Sequence, residues 1–312
     1  MSTSPMENEL FDQFLNFPDI DAKVRLDSLI GLDDHKMRLT KILGLLVNPE
    51  GLKAWAKKHH PNSDKVINIV LRRPPLIVLA GDVGSGKTEL AETIGDAVAR
   101  QEDINIMLFP LSLSTRGQGR VGEMTQLLTA AFDYTISEAK KLNSSSSNAR
   151  GAIILLVDEA DAIAQSREES QMHHEDRAGV NAFIRGIDRI GNGQLPAAVI
   201  MCTNRLDSLD PAVKRRAADI LTFERPNEVQ RHAVLDGPLK ELGFSETQID
   251  DIVSATGSQN GSGYGFTFSD LIQRLIPAIV LDAYPTDKVN PTRALEIVQS
   301  IHPTSPFQDG KK

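Results

Sequence analysis

The octet GDVGSGKT, Gly81 to Thr88, places glycines, a lysine and a hydroxyl at the spacing G-x-x-x-x-G-K-[ST] that wraps a phosphate. It follows the apolar run LIVLA, Leu76 to Ala80, and opens the helical stretch ELAETIGDAVA. In that setting Gly81, Asp82, Val83, Gly84, Ser85 and Gly86 turn backbone N–H groups inward, and the helix N-terminus adds partial positive charge. Lys87 then reaches the β and γ phosphates of a nucleoside triphosphate, and Thr88 offers its hydroxyl to Mg²⁺. The stretch IILLVDEADAIA, Ile153 to Ala164, supplies the complement. Its apolar residues carry Asp158 to the end of a buried strand, where a phosphate-bound Mg²⁺ needs a carboxylate. Glu159, one position on, is placed to orient or deprotonate an attacking water. The two motifs together specify ATP hydrolysis, with Lys87 and Glu159 as catalytic candidates and Thr88 and Asp158 as metal ligands.

Elements that position such a site are legible along the chain. Five short runs are apolar or nearly so: Leu76 to Ala80, Ile104 to Leu111, Ala152 to Val157, Ala197 to Thr203 and Asp219 to Glu224. Separated by helix-length segments, they predict parallel strands buried on both faces, a doubly wound α/β sheet. Beyond Arg225-Pro226 the pattern turns helical: Val229 to Leu242 broken near Gly237-Pro238, Glu246 to Ala255, Phe268 to Tyr284 and Pro291 to Ile301. The expected domains are an arm over 1–25, an α/β nucleotide-binding domain over 26–225, a helical domain over 226–302 and a frayed tail over 303–312. The arm reads as a short docking helix or a loose segment, and NSSSSN (Asn143 to Asn148) as a surface loop.

Composition narrows the function classes. A net charge of −8 and a pI near 5.4 provide no basic footprint for nucleic acid, so nucleic-acid partners are not expected. The single cysteine, Cys202, lies inside an apolar run, which leaves no internal disulfide or cysteine metal site. The pairs His59-His60 and His173-His174 lack partners at metal-site spacing and read as solvated loop residues. An acidic amino terminus and the lack of a long apolar run predict a soluble, cytoplasmic protein without membrane association.

The tetrad D-E-A-D raises a comparison with DEAD-box helicases. In that family the gap between the two motifs is distinctly longer than the 71 positions separating Lys87 from Asp158, and a second strand-rich domain follows. Here the remaining chain reads as helices, so the tetrad is taken as a coincidence of Ala160 and Asp161.

From about Leu26 to Ile301 the sequence resembles AAA+ ATPases. LDSLIGLDDHKMRL is similar to that family's entry motif, which implies that Ile30 and Gly31 line the adenine pocket. Thr203-Asn204 resembles the sensor strand, with Asn204 toward the γ-phosphate or the water. LDPAVKRRAAD is similar to the arginine-finger segment, with Arg215 and Arg216 at the finger positions. GFTFSDLIQRL resembles the lid motif, with Ser269 where some branches carry a sensor arginine. The resemblance implies a P-loop NTPase parallel sheet flanked by helices and followed by a small all-helical lid. It also implies a homo-oligomeric ring, expected to be a hexamer, in which a finger acts across the subunit boundary.

Within AAA+, DEADAIAQSR followed by RAGVNAFIRGIDRI, and the lid stretch SDLIQRLIP, resemble the pachytene-checkpoint type. That type remodels HORMA-domain proteins, and its short bacterial form accompanies second-messenger synthases in anti-phage systems. The resemblance therefore implies a HORMA-domain protein as substrate. In STRGQGRVGEM, Ser114 to Met124, Val121-Gly122-Glu123 matches a channel loop, but Arg120 stands where unfoldases carry an aromatic. Two alternatives stand beside this reading: a loader of a DNA-replication or repair complex, and a nucleotide-gated scaffold.

Overall fold

The computed structural model describes residues 10–11, 13–113, 122–144, 151–164, 174–193, 195–205, 209–258 and 263–306. The chain divides into two compact units. The first comprises Met1–Ser28, Asp34–Ala80 and Thr88–Thr222; the second comprises Leu29–Asp33, Gly81–Lys87 and Phe223–Lys312.

The first unit is built on a sheet with strands β1 (Leu15–Phe17), β2 (Leu76–Gly81), β3 (Asn105–Ser112), β4 (Gly151–Asp158), β5 (Ala197–Thr203) and β6 (Ala217–Phe223). Among the described residues these lie side by side in the order β1-β3-β4-β5-β2-β6. The β3–β4, β4–β5 and β2–β5 pairs are parallel. All five predicted runs become strands, and the apolar runs of β2, β4 and β5 are buried on both faces. Leu76 to Ala80 and Val199 to Met201 are fully excluded from solvent. Register brings the functional ends together: Ser112 pairs with Asp158, and Ala80 pairs with Thr203.

The helices of this unit are α1 (Ile20–Asp27), α2 (Asp33–Val47), α3 (Pro49–His59), α4 (Asp64–Leu71), α5 (Lys87–Glu102), α6 (Glu123–Ser144), α7 (Asp161–Ala164), α8 (His174–Gly193) and α9 (Pro211–Lys214). The arm, expected as a short docking helix or a loose segment, carries the start of α1 and, before it, a strand. Leu15–Phe17 adds an antiparallel edge strand to β3. Phe11 and Phe14 pack on Phe109 and Tyr134, with Phe14 and Phe109 edge-on at 4.9 Å. Such aromatic pairs add ~0.5–1.5 kcal/mol each beyond the area they bury, enough to hold a three-residue strand that its own sequence would not specify.

The second unit carries α10 (Glu228–Glu241), α11 (Glu246–Ala255), a π-helical turn (Asp270–Leu275), α12 (Ile276–Ala283) and α13 (Pro291–Ser300). Capping boxes open α10 (Asn227 with Gln230) and α11 (Ser245 with Gln248). The break expected at Gly237-Pro238 does not occur, and α10 runs through it. Pro238 costs ~3 kcal/mol in a helix interior. Burial of Val234, Leu235 and Leu239, each side chain contributing ~1.5–3 kcal/mol, outweighs it. Thr304, in the stretch expected to fray, has its N–H and hydroxyl bonded to Asp270 at 2.9 and 2.7 Å.

Candidate functional site

The phosphate loop, Gly81–Lys87, belongs to the second unit, where lid residues shape it. Gly84 has φ +71, and a Cβ there would collide with Thr267 and Ser269 of the lid. Its carbonyl accepts a hydrogen bond from the Ser269 N–H at 3.1 Å. Ser269 thus supports the loop from the position where other branches carry an arginine. Lys87 is buried and folded back on its own loop: its Nζ donates to the carbonyls of Gly81 and Asp82 at 3.0 and 2.7 Å. Ser85 Oγ donates to the same Asp82 carbonyl at 2.7 Å. Gly86, at φ +92, completes a loop that only glycine accommodates without strain, while Val83 is exposed. Ile30 is 40% exposed, and the Gly31 carbonyl accepts from Gln230 Nε2 of α10 at 2.8 Å.

In the first unit, Thr88 Oγ1 donates to Asp158 Oδ1 at 3.3 Å. These are two hard oxygens on exposed side chains, the donor set that Mg²⁺ prefers beside phosphates. Glu159 follows with φ +51, a left-handed conformation costing on the order of 1–3 kcal/mol for a non-glycine residue. That turn ends the strand. Asp158 Oδ1 accepts from the Glu159 N–H at 2.8 Å, and Ser112 Oγ at the end of β3 donates to Glu159 Oε2 at 3.0 Å. The carboxylate is therefore held on the neighbouring strand.

Asp161, which the helicase comparison leaves without a role, anchors Asn204, the sensor candidate. Its Oδ1 accepts from Thr203 Oγ1 at 2.8 Å and from the Asn204 N–H at 2.7 Å, and its Oδ2 from Asn204 Nδ2 at 3.1 Å. Three bonds to one carboxylate fix the end of β5 against α7. Asp161→Ala is expected to lower kcat by about tenfold or more with little change in KM, because misplacing a group near the chemistry costs rate rather than uniform binding. Steady-state kinetics on a variant with parental circular dichroism would show it. An unchanged kcat would remove Asp161 from the site.

The two finger candidates separate. Arg216 donates from Nε and Nη2 to both oxygens of Asp188 on α8 at 2.7 and 2.9 Å, and from Nη1 to the Ala212 carbonyl at 3.2 Å. The hydrogen bonds it donates to Asp188 raise its pKa further above an already high value. Arg215, adjacent, is exposed, and its side chain has no hydrogen-bond or ion-pair partner among the described residues. The expected channel residues Arg116, Gly117, Gly119, Arg120 and Val121 lie outside the described residues. Gly122 and Glu123 are within them, at the entry to α6. Asp161, Ser112, Asp188 and Gln230 were not anticipated, since each acts through a partner remote in sequence.

Among the described residues no helix is long and apolar enough to cross a membrane. The model of the ATPase family associated with various cellular activities (AAA) matches residues 77–225, which include the phosphate loop, Asp158-Glu159, Asn204 and both arginines. CD-NTase-associated protein 6 of Escherichia coli (strain MS 115-1) is 64% identical over 309 residues, covering 99% of each chain. A chain of the solved E. coli MS115-1 HORMA:CdnC:Trip13 complex superposes with a TM-score of 0.89 at 63% identity, covering 98% of this chain and 100% of that one. The solved Rhizobiales Trip13 gives 0.73 at 59% identity, covering 95% and 100%. Phosphate loop, strand-end carboxylates and matched relatives agree: this chain is an ATP-hydrolysing enzyme that belongs to the AAA ATPases, in the family of CD-NTase-associated protein 6.

Proposed function

We propose that the chain forms a homo-oligomeric ring, a hexamer, that couples ATP hydrolysis to remodelling of a HORMA-domain protein in a cytoplasmic anti-phage second-messenger system. The observation that carries this reading is the 63% identity and 0.89 TM-score to the chain solved in a HORMA:CdnC:Trip13 complex.

In this reading Lys87 leaves the Gly81 and Asp82 carbonyls to meet the β and γ phosphates, while loop N–H groups bind them. Thr88 and Asp158 hold Mg²⁺, which supplies charge neutralisation on the phosphate oxygens when bound. Glu159 orients and deprotonates the water, Asn204 positions it from its Asp161 anchor, and Ile30-Gly31 takes the adenine. Arg215 reaches the site of the next subunit. The segment Ser114–Met124, with Arg120 in place of an aromatic and Arg116 adding positive charge, grips a polar or acidic tail of the substrate.

The test is direct. The purified chain is mixed with a HORMA-domain protein in complex with its partner synthase from the same host, with ATP or with ADP, and the complex is followed by size-exclusion chromatography. Dissociation that requires ATP and this chain in catalytic amount is the expected result. Equal persistence of the complex with ATP and with ADP would exclude the HORMA reading.

A further inference from the structure

Arg225 is the first residue but one after β6, and neither the nucleotide motifs nor the ring reading uses it. Its guanidinium is a three-way junction. Nε donates to Asp82 Oδ2 at 2.6 Å, Nη1 to the Gly265 carbonyl at 2.6 Å, and Nη2 to the Thr304 carbonyl at 2.7 Å. Its face lies 4.7 Å from the centroid of the Tyr264 ring. The Arg225 and Asp82 side chains are only 14% and 16% exposed, so the pair is shielded from the screening that makes surface ion pairs weak.

Asp82 is the residue through which the rest of the phosphate loop is organised. Its carbonyl accepts from Lys87 Nζ and Ser85 Oγ. Its second carboxylate oxygen accepts from the Val83 N–H at 2.8 Å, tying the side chain to the backbone of the next loop residue. A carboxylate free to rotate would lose that tie. The three acceptors around Arg225 come from three separate segments: the phosphate loop, the segment leading into the π-helical turn, and the carboxy-terminal stretch. That stretch is itself fastened, since Asp270, wholly buried, takes two bonds from Thr304. Burial alone would raise the Asp270 pKa, but bonds from Thr304, Thr267 and Arg274 bring it down to about 2, so it stays charged.

We propose that Arg225 is a positioning residue for nucleotide binding, holding the Asp82 carboxylate so that the phosphate loop keeps its binding shape. Only a planar fork with several donors serves three acceptors on three segments; a lysine ammonium keeps the charge and loses the geometry. Arg225→Lys should therefore weaken binding of N-methylanthraniloyl-ADP, titrated by fluorescence, by on the order of tenfold, the worth of a charge-assisted hydrogen bond. KM for ATP should rise in parallel while kcat at saturation holds, since uniform binding is what is lost.

The decisive readout is a cycle with Asp82→Asn. Residues acting through one bond are not additive, so the double variant should bind within about twofold of the weaker single variant. Multiplied losses, near a hundredfold, would show that Arg225 acts elsewhere and overturn the proposal, as would parental affinity in Arg225→Lys. A purely structural role would lower the thermal midpoint of the nucleotide-free protein and leave affinity intact. If Arg225→Lys does not fold, Asp82→Asn alone decides: parental nucleotide affinity in that variant overturns the proposal.

Discussion

Glu159→Gln is expected to cut ATP turnover by on the order of 10²–10⁴, the usual worth of a positioned general base, and to leave nucleotide affinity at the parental level. The two effects separate because of where the side chain sits. In the proposed site affinity comes from the loop Gly81–Lys87 and from Thr88 with Asp158, while the Glu159 carboxylate is held by Ser112 Oγ. Glutamine fills the same volume in the same left-handed turn, and its carbonyl still accepts from Ser112 Oγ, so the fold of the turn is retained. What disappears is a carboxylate that takes a proton from water. A phosphate-release assay alongside an equilibrium nucleotide titration would measure both. Hydrolysis by purified Glu159→Gln at the parental rate would assign the base elsewhere. The same variant should accumulate in an ATP-bound state and retain its protein substrate, which makes it the reagent of choice for capturing the partner.

The nucleotide machinery was readable in sequence because its signals are local. GDVGSGKT carries its own turn residues, and the strands around it are apolar on both faces, so runs such as Leu76 to Ala80 declare themselves without knowledge of their neighbours. The three residues of β1 do not, since Leu15–Phe17 is a strand only against β3 and under Phe109 and Tyr134. The same limit explains the missed site residues. Asp161 meets Asn204 across 43 positions, Arg216 meets Asp188 across 28, and Arg225 meets Asp82 across 143. Each pair consists of residue types that are ordinary on a solvated surface; their role follows from closure of the tertiary structure. The tetrad is no helicase signal, yet Asp161 within it bonds to Thr203 and Asn204 at the end of β5, a role that only the tertiary structure shows. Pro238 erred in the opposite direction: a strong local signal for a break was overruled by the apolar contacts on either side of it.

Arg215→Ala should abolish most ring-dependent turnover, by on the order of 10³ or more, whereas Arg216→Ala should cost much less. A finger needs a guanidinium that is free to leave its own subunit. Arg216 has its planar fork occupied by both oxygens of Asp188 and by the Ala212 carbonyl, and drawing it away would leave Asp188 without that pair. Arg215 is exposed beside it, so the bidentate bond of Arg216 fixes the segment from which Arg215 projects. Loss of Arg216 or Asp188 then loosens the finger, and Asp188→Ala should reproduce the effect of Arg216→Ala without adding to it. The in-trans nature of the finger is tested by mixing. Lys87→Ala subunits keep Arg215 and lose the phosphate lysine; Arg215→Ala subunits keep the lysine and lose the finger. Neither ring should turn over alone, but in a randomly mixed one-to-one ring about a quarter of the head-to-tail interfaces join an intact loop to an intact finger. Turnover should recover to that fraction of the parental rate at concentrations where chromatography shows mixed rings. No recovery there would place Arg215 outside the neighbouring site. A reversal, with Arg216→Ala dead and Arg215→Ala active, would mean that the Asp188 bond opens on nucleotide binding and that Arg216 is the finger.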